Sequence, residues 1–426
     1  MDFKKTALQL RGYFSTPGRQ LLLFSLIHFL ILLVWLNFSA FDIRIHPDVE
    51  LYLEYADFMF EGNLPYRDFI VEYPPLSLLF LLIPRLFSAN LAGYADAFAV
   101  LIFAFALLGL FFTSRLSRKL ELNHFATLGI YTLAFFLIGD IAINRFDVIP
   151  AVLSLGAVCY YLENKPKAAW FMLALGVLVK LYPAIIAPIF AIGHIRRREF
   201  RPLIKGMAVF CITGLAVTLP FFIASPEGFW RFIDFHSGRG LQIESSYASL
   251  LMLGDMLGLT GVEVVYTYSS VDLKAAASDF LVAASTFITL AAVLACYCFY
   301  CRSFFKGKDE NVNLISYMIG ALALLLVTSK IFSTQFVIWL YPFIPLLGNR
   351  MRHPAWIIFG IIALLTQYIF PYNYGELVDL RQPAVIFLIL RNFLVLALGI
   401  AVMYCSSVKQ KNPDENRRDG SIPELA

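Results

Sequence analysis

The chain has 426 residues, of which 59% are hydrophobic and only 15% charged, against roughly 25% charged in an ordinary soluble domain. That composition argues against a water-soluble enzyme, and a net charge of +4, from 34 basic and 30 acidic residues, is too small to mark a nucleic-acid partner. The apolar residues come in long runs between residues 21 and 404, the pattern of one polytopic membrane protein.

The first run, residues 21–36, follows Lys4, Lys5, Arg11 and Arg19 but lacks a small-x-small cleavage site, so it reads as a retained first helix and not a signal peptide. The run 76–86 follows Pro74-Pro75 and carries Pro84 and Arg85, which makes it a short helix at the outer surface and no crossing. Further spans are predicted at 94–114, 124–141, 147–162, 168–180, 182–194, 204–224, 278–301, 312–329, 331–348, 355–371 and 383–404, about twelve in all. The pair meeting at Lys180 is short and reads as a hairpin with its apex toward the outer face. Residues 1–408 form one transmembrane domain with two large outer loops, 39–93 and 225–277, and 409–426 is a mixed-charge tail expected to be disordered and cytoplasmic.

Lys and Arg resist translocation, so their bias sets the orientation. It places both termini in the cytoplasm of a multi-pass cell-membrane protein and leaves Arg44, Arg67, Arg85, Arg145, Lys180, Arg231, Arg239, Lys274, Lys330 and Arg381 outside despite the rule. Those cations need another reason to be there. Cys159, Cys211, Cys296, Cys298, Cys301 and Cys405 lie in spans or near their cytoplasmic ends, which predicts no disulfide.

The outer face gathers polar groups. In the first loop Val49, Tyr52, Leu53, Ala56 and Phe60 recur at helical spacing, an amphipathic helix suited to lying on the membrane, with Asp48 at its start. Asp48 reads either as a helix cap or as a general base. Asn144-Arg145-Phe-Asp147 joins two spans by a tight turn, in which Arg145 and Asp147 either pair with each other or serve a ligand. Lys180 and Lys330 have no nearby acidic partner in the sequence, and Gln335 follows at the same level. In the second loop Arg239 and Glu244 flank a glycine-containing turn, and His236 precedes it; a metal held by His46, Asp48 and His236 would need ligands from two distant loops. Asp57, Arg67, Asp68 and Glu72 are secondary candidates, either as alternative bases or as groups that order the loop. A carboxylate facing scattered cations at one membrane interface suits an anionic head with a lipid tail, such as a lipid-linked sugar phosphate.

Asp48, followed by Gly62-x-x-Pro65-Tyr66-x-Asp68-Phe-x-x-Glu72-Tyr-Pro-Pro75, then Asn144-Arg145-x-Asp147, Lys180-Leu-Tyr-Pro183 and Ser333-x-Gln335-x-x-x-Trp339, resembles glycosyltransferase family 87. The resemblance implies the all-helical GT-C fold and a polyprenyl-phosphate-mannose-dependent α-mannosyltransferase with its active site on the extracytoplasmic face. It implies Asp48 as the catalytic carboxylate, inversion at the sugar, and Arg145, Lys180 and Lys330 as donor-phosphate contacts. Its partners would be a polyprenyl-phosphate sugar donor, a lipid or glycan acceptor and membrane lipids, with no cofactor and no metal. Family members often carry Ser-Pro before the late Gln or His, where this chain has Ser333-Thr334-Gln335. The rival readings are a transporter or flippase of lipid-linked saccharides, whose charges would sit near the bilayer midplane, and a structural membrane subunit.

Overall fold

Prolines and small polar residues punctuate this apolar chain, and its helices begin where they fall. The computed structural model describes residues 16–38, 47–267, 270–304, 310–348 and 351–407. Pro75 opens helix Pro75–Arg85, Asn90 accepts from the Gly93 amide at the head of Leu91–Lys119, and Asn123 caps His124–Ile138 through the Ala126 amide. Among the described residues six helices are long and apolar enough to cross a membrane: Pro17–Asn37, Leu91–Lys119, Phe200–Ala224, Ser278–Phe304, His353–Tyr372 and Gln382–Ser406. Shorter apolar segments lie between them. The chain is a predominantly helical, multi-pass membrane protein.

Helix α1 (Val148–Leu162) is the centre of the fold, with all but one of its residues buried. Around it pack Leu91–Lys119 and α2 (Pro166–Val179). At the other extreme, the most apolar stretch of Phe200–Ala224 has no buried residue and turns Ile204, Ile212, Leu215 and Ile223 outward. One side of the helix packs on α2, with Phe210 6.0 Å from Trp170; an outer face this apolar and uncovered by protein belongs against lipid.

Three local departures from the sequence reading have physical reasons. The expected span 331–348 is no continuous α-helix but two 3₁₀ segments, Thr334–Trp339 and Ile344–Leu346. Pro342 and Pro345 supply no amide donor there, and the segment is buried among its neighbours, Leu340 to Leu347 being nearly inaccessible. The first-loop helix, α3 (Pro47–Phe60), covers its apolar face with protein and not with lipid: Val49, Tyr52, Tyr55 and Ala56 are buried against α4 (Pro75–Arg85) and Leu91–Lys119. In the second large loop, helices Pro226–Gly238 and Ser246–Met256 are followed by an antiparallel hairpin, β1 (Glu263–Thr267) with β2 (Ser270–Lys274), paired so that Val265 faces Asp272. Leu241, Ile243, Met252 and Leu273 form a second small core there with Leu377, Val385 and Leu388. All six cysteines are free thiols. The tail 409–426 lies outside the described residues.

Candidate active site

Pro47 starts α3, so Asp48 stands in its first turn, where a carboxylate is favoured by the exposed amides. Tyr52, one turn on, packs its ring 5.4 Å from Phe98, tilted, and 5.5 Å from Phe146, edge-on. That packing sets Asp48 above the turn before α1. There Arg145 is extended (φ −126°, ψ 140°) and its guanidinium pairs with Asp48. The pair is asymmetric: the Asp48 side chain keeps 31% of its surface and Arg145 11%. Burial lowers the Arg145 guanidinium to about 10 against the pull of Asp147 and Glu244, so it is charged at neutral pH.

The local pairing of Arg145 with Asp147, one of the two options in the sequence, is therefore not the one made. Asp147 Oδ1 accepts from Lys180 Nζ at 2.6 Å and from Trp339 Nε1 at 2.7 Å, and the residue is fully buried. The partner that the sequence did not show for Lys180 lies 33 residues back. Lys180 also sits over the rings of Phe146 (5.0 Å), Phe336 (5.1 Å) and Trp339 (5.7 Å). Trp339 is itself clamped between Tyr182 at 3.9 Å and Phe336 at 4.2 Å. The Lys180-Leu-Tyr-Pro183 segment and the late Trp339 segment thus meet around a single ammonium.

Lys330 serves the second loop: its Nζ donates to the carbonyls of Ser237 (2.8 Å) and Arg239 (2.6 Å), and its own carbonyl accepts from the Gln242 amide. Burial and the nearby Arg239 hold its ammonium below the usual lysine range. Glu244 is buried as well, accepting from Gln242 Nε2 (2.8 Å) and from the Thr334 amide (3.1 Å). Burial holds its carboxyl above the usual range, with Arg391 and Thr334 pulling the other way. Behind it lies Arg391, fully buried in the last helix, donating to the carbonyls of Glu244 (2.9 Å) and Phe332 (3.4 Å). The role of Arg391 had no local signal beyond a cation inside an apolar run, which by itself is a reason to look.

Most of these groups, though not Asp147 or Arg391, border one cavity of about 1190 Å³. Asp48, Glu72, Arg145, Lys180, Arg239, Glu244, Lys330 and Gln335 line its polar part, and Ile185, Leu290, Val293, Leu325 and Leu326 an apolar wall. Leu290 is itself mostly exposed, on the flank of helix Ser278–Phe304. The structure brings together the first-choice residues Asp48, Arg145, Lys180, Arg239, Glu244, Lys330 and Gln335 from five separate stretches of chain. It leaves others apart: Asp57 pairs with Arg85, while Asp68 pairs with Arg67 at 2.9 Å and accepts from the Leu64 amide at 2.7 Å, holding the first loop in shape. Asp147 stands behind Lys180 and not on the cavity lining. His46 and the side chain of His236 lie outside the described residues. Missed by the sequence reading were Phe336, Tyr266 and Tyr374, aromatic residues of this lining that carry no charge to single them out; Tyr182 was read only as part of the Lys180-Leu-Tyr-Pro183 motif.

A model of glycosyltransferase family 87 matches residues 69–329. The chain belongs to glycosyltransferase family 87. The match runs through Glu72, Arg145, Lys180, Arg239 and Glu244 and stops just before Lys330; Asp48 and Gln335 fall outside it. As a family 87 member the protein is a membrane glycosyltransferase, and its predominantly helical multi-pass build agrees with the GT-C class expected from the motifs. Among solved structures, the apo crystal structure of ArnT from Cupriavidus metallidurans aligns over 91% of this chain and 77% of its own, at 13% identity and a TM-score of 0.48. No curated protein matches the chain.

Proposed function

We propose that this protein transfers a sugar, mannose by the motif resemblance, from a polyprenyl-phosphate donor to a lipid or glycan acceptor at the extracytoplasmic face, with inversion. The observation that carries the reading is the Asp48–Arg145 pair at the polar end of a cavity whose other wall is apolar. A lipid phosphate needs both: cations for its head and hydrocarbon for its tail.

In this reading Asp48 takes the proton of the acceptor hydroxyl, the acceptor oxygen bonds to the anomeric carbon, and the bond from that carbon to the phosphate oxygen breaks. Polyprenyl phosphate leaves as an anion, so no proton donor is needed for it. Arg145, with Lys180 behind it, neutralises the charge that builds on the leaving phosphate. A phosphate that takes over Arg145 also frees the Asp48 carboxylate from its ion pair, leaving its oxygens to accept the hydroxyl proton. Binding of the donor would thereby switch on the base that uses it.

The test is transfer by the purified protein in liposomes, from polyprenyl-phosphate mannose to a panel of lipid and glycan acceptors, with Asp48→Asn beside the wild type. Loss of transfer in a folded Asp48→Asn protein supports the reading. Unchanged transfer removes Asp48 from the mechanism, and absence of transfer by the wild type from any polyprenyl-phosphate sugar overturns the proposed reaction.

A further inference from the structure

One polar network on the cavity takes no part in the step just described. Asp272, on β2, is only 2% exposed. Its carboxylate accepts from Thr267 Oγ1 at 2.5 Å, from Ser270 Oγ at 2.9 Å and from the Gly240 amide at 3.1 Å. A hydroxyl has one proton to give. Thr267 and Ser270 have both given theirs to Asp272, so what they offer to the cavity, which both line, is lone pairs. Beside them Tyr266 lines the same cavity with 73% of its surface exposed. The hairpin is held firmly: Ile243 N donates to Val271 O at 2.9 Å, Leu273 N to Leu241 O at 2.8 Å, and Gln242 N to Lys330 O at 3.1 Å. A fixed row of hydrogen-bond acceptors next to an open aromatic ring is unlike the cationic lining at Arg145 and unlike the apolar wall at Leu290 and Leu325.

We infer that β1–β2 is the acceptor-recognition wall and that the acceptor is a glycan, whose hydroxyls donate to Thr267 and Ser270 and whose C–H face lies on the Tyr266 ring. A phosphate finds no donor in that pair of oriented hydroxyls, and a lipid chain gains nothing from it. A polyol satisfies every group. The inference rests on the glycosyltransferase reading above and adds the acceptor's chemistry to it.

The test uses the full chain in liposomes with two probes, free di- and trisaccharides of mannose, glucose and galactose, and the same glycans on a lipid anchor. Binding is read by saturation-transfer NMR for the free probes and by co-flotation for the anchored ones, and transfer by separate donor and acceptor KM. Thr267→Val keeps the side-chain shape and removes the hydroxyl; Tyr266→Ala removes a ring that is largely exposed. Each is expected to weaken glycan binding and raise acceptor KM about fivefold, the worth of one hydrogen bond or contact, with donor KM unmoved; Tyr266→Ala is expected to melt as the wild type does, while Thr267→Val, which takes a donor from the buried Asp272 carboxylate, is expected to melt lower. Binding of free glycan points to a soluble acceptor and binding of anchored glycan alone to a lipid-linked one; both support the inference. A wild type that binds neither probe, variants that bind as the wild type does, or a rise in donor KM instead of acceptor KM overturns it. A wild type that binds glycan but transfers no sugar leaves this wall standing and removes the proposed reaction.

Discussion

Asp48 and Asp147 each hold one cation beside the same cavity, Arg145 and Lys180, but they differ in everything else they touch. Asp147 has no solvent, a second donor in Trp339, and a lysine ringed by three aromatic side chains. Asp48 keeps 31% of its side-chain surface and is set on a first-turn position over the cavity. An ion pair whose carboxylate is open to the cavity can exchange its cation at small cost; one whose carboxylate is buried cannot, because the abandoned negative charge has no water to receive it. The open pair suits chemistry and the closed pair suits support.

Breaking the comparison at its open end has the largest expected effect. Asp48→Asn should lower transfer about 100- to 10,000-fold, the range for losing a positioned general base, while leaving the melting temperature in detergent close to wild type. At the closed end, Asp147→Asn keeps a carbonyl for Trp339 but leaves Lys180 uncompensated. It should cost about 3–5 kcal/mol of stability, seen as a large drop in melting temperature that Lys180→Met in the same chain partly restores. If Asp48→Asn unfolds the protein and Asp147→Asn does not, the assignment of chemistry and support is reversed.

A smaller effect sharpens the contrast through pH. Burial holds the Glu244 carboxyl above its ordinary value, so the folded protein keeps a proton that the unfolded chain has lost. The stability this contributes is complete below the ordinary carboxylate range and is lost as pH rises through the raised value. Glu244→Gln, which imitates the protonated side chain, should flatten that part of a plot of melting temperature against pH. Smallest of all is the exposed Arg67–Asp68 pair: Asp68→Ala is expected to leave the melting temperature within error, since exposed pairs contribute little, and any loss it causes should be confined to the order of residues 64–68.

The sequence displayed the cavity's charged residues because each is a cost in an apolar chain. Asp48, Arg145, Lys180 and Glu244 stand out against their flanks for that reason, and all line the cavity. It did not display what completes them. Trp339 reaches Asp147 across 192 residues and Arg391 reaches Glu244 across 147, and no spacing rule links positions so far apart. Lys330 was legible as a cation without a local partner, yet its bonds to the carbonyls of Ser237 and Arg239 follow only from the path of the second loop. The helices were legible because hydrophobic length is their cause. The 3₁₀ segments at 334–346 were not, because burial among other helices, and not lipid, explains the apolar run there.

Arg391 has a bearing on how the molecule is made. A lone arginine in the middle of an apolar segment costs about 2.5–3.5 kcal/mol at insertion, and this one lies in the last described helix, Gln382–Ser407. The groups that receive it, the carbonyls of Glu244 and Phe332 and the ring of Phe332 at 4.2 Å, are all synthesised earlier. The helix that carries this arginine into the bilayer is thus one whose berth has been laid down by the time it emerges, and the cavity acquires its backing only after its own lining has been made.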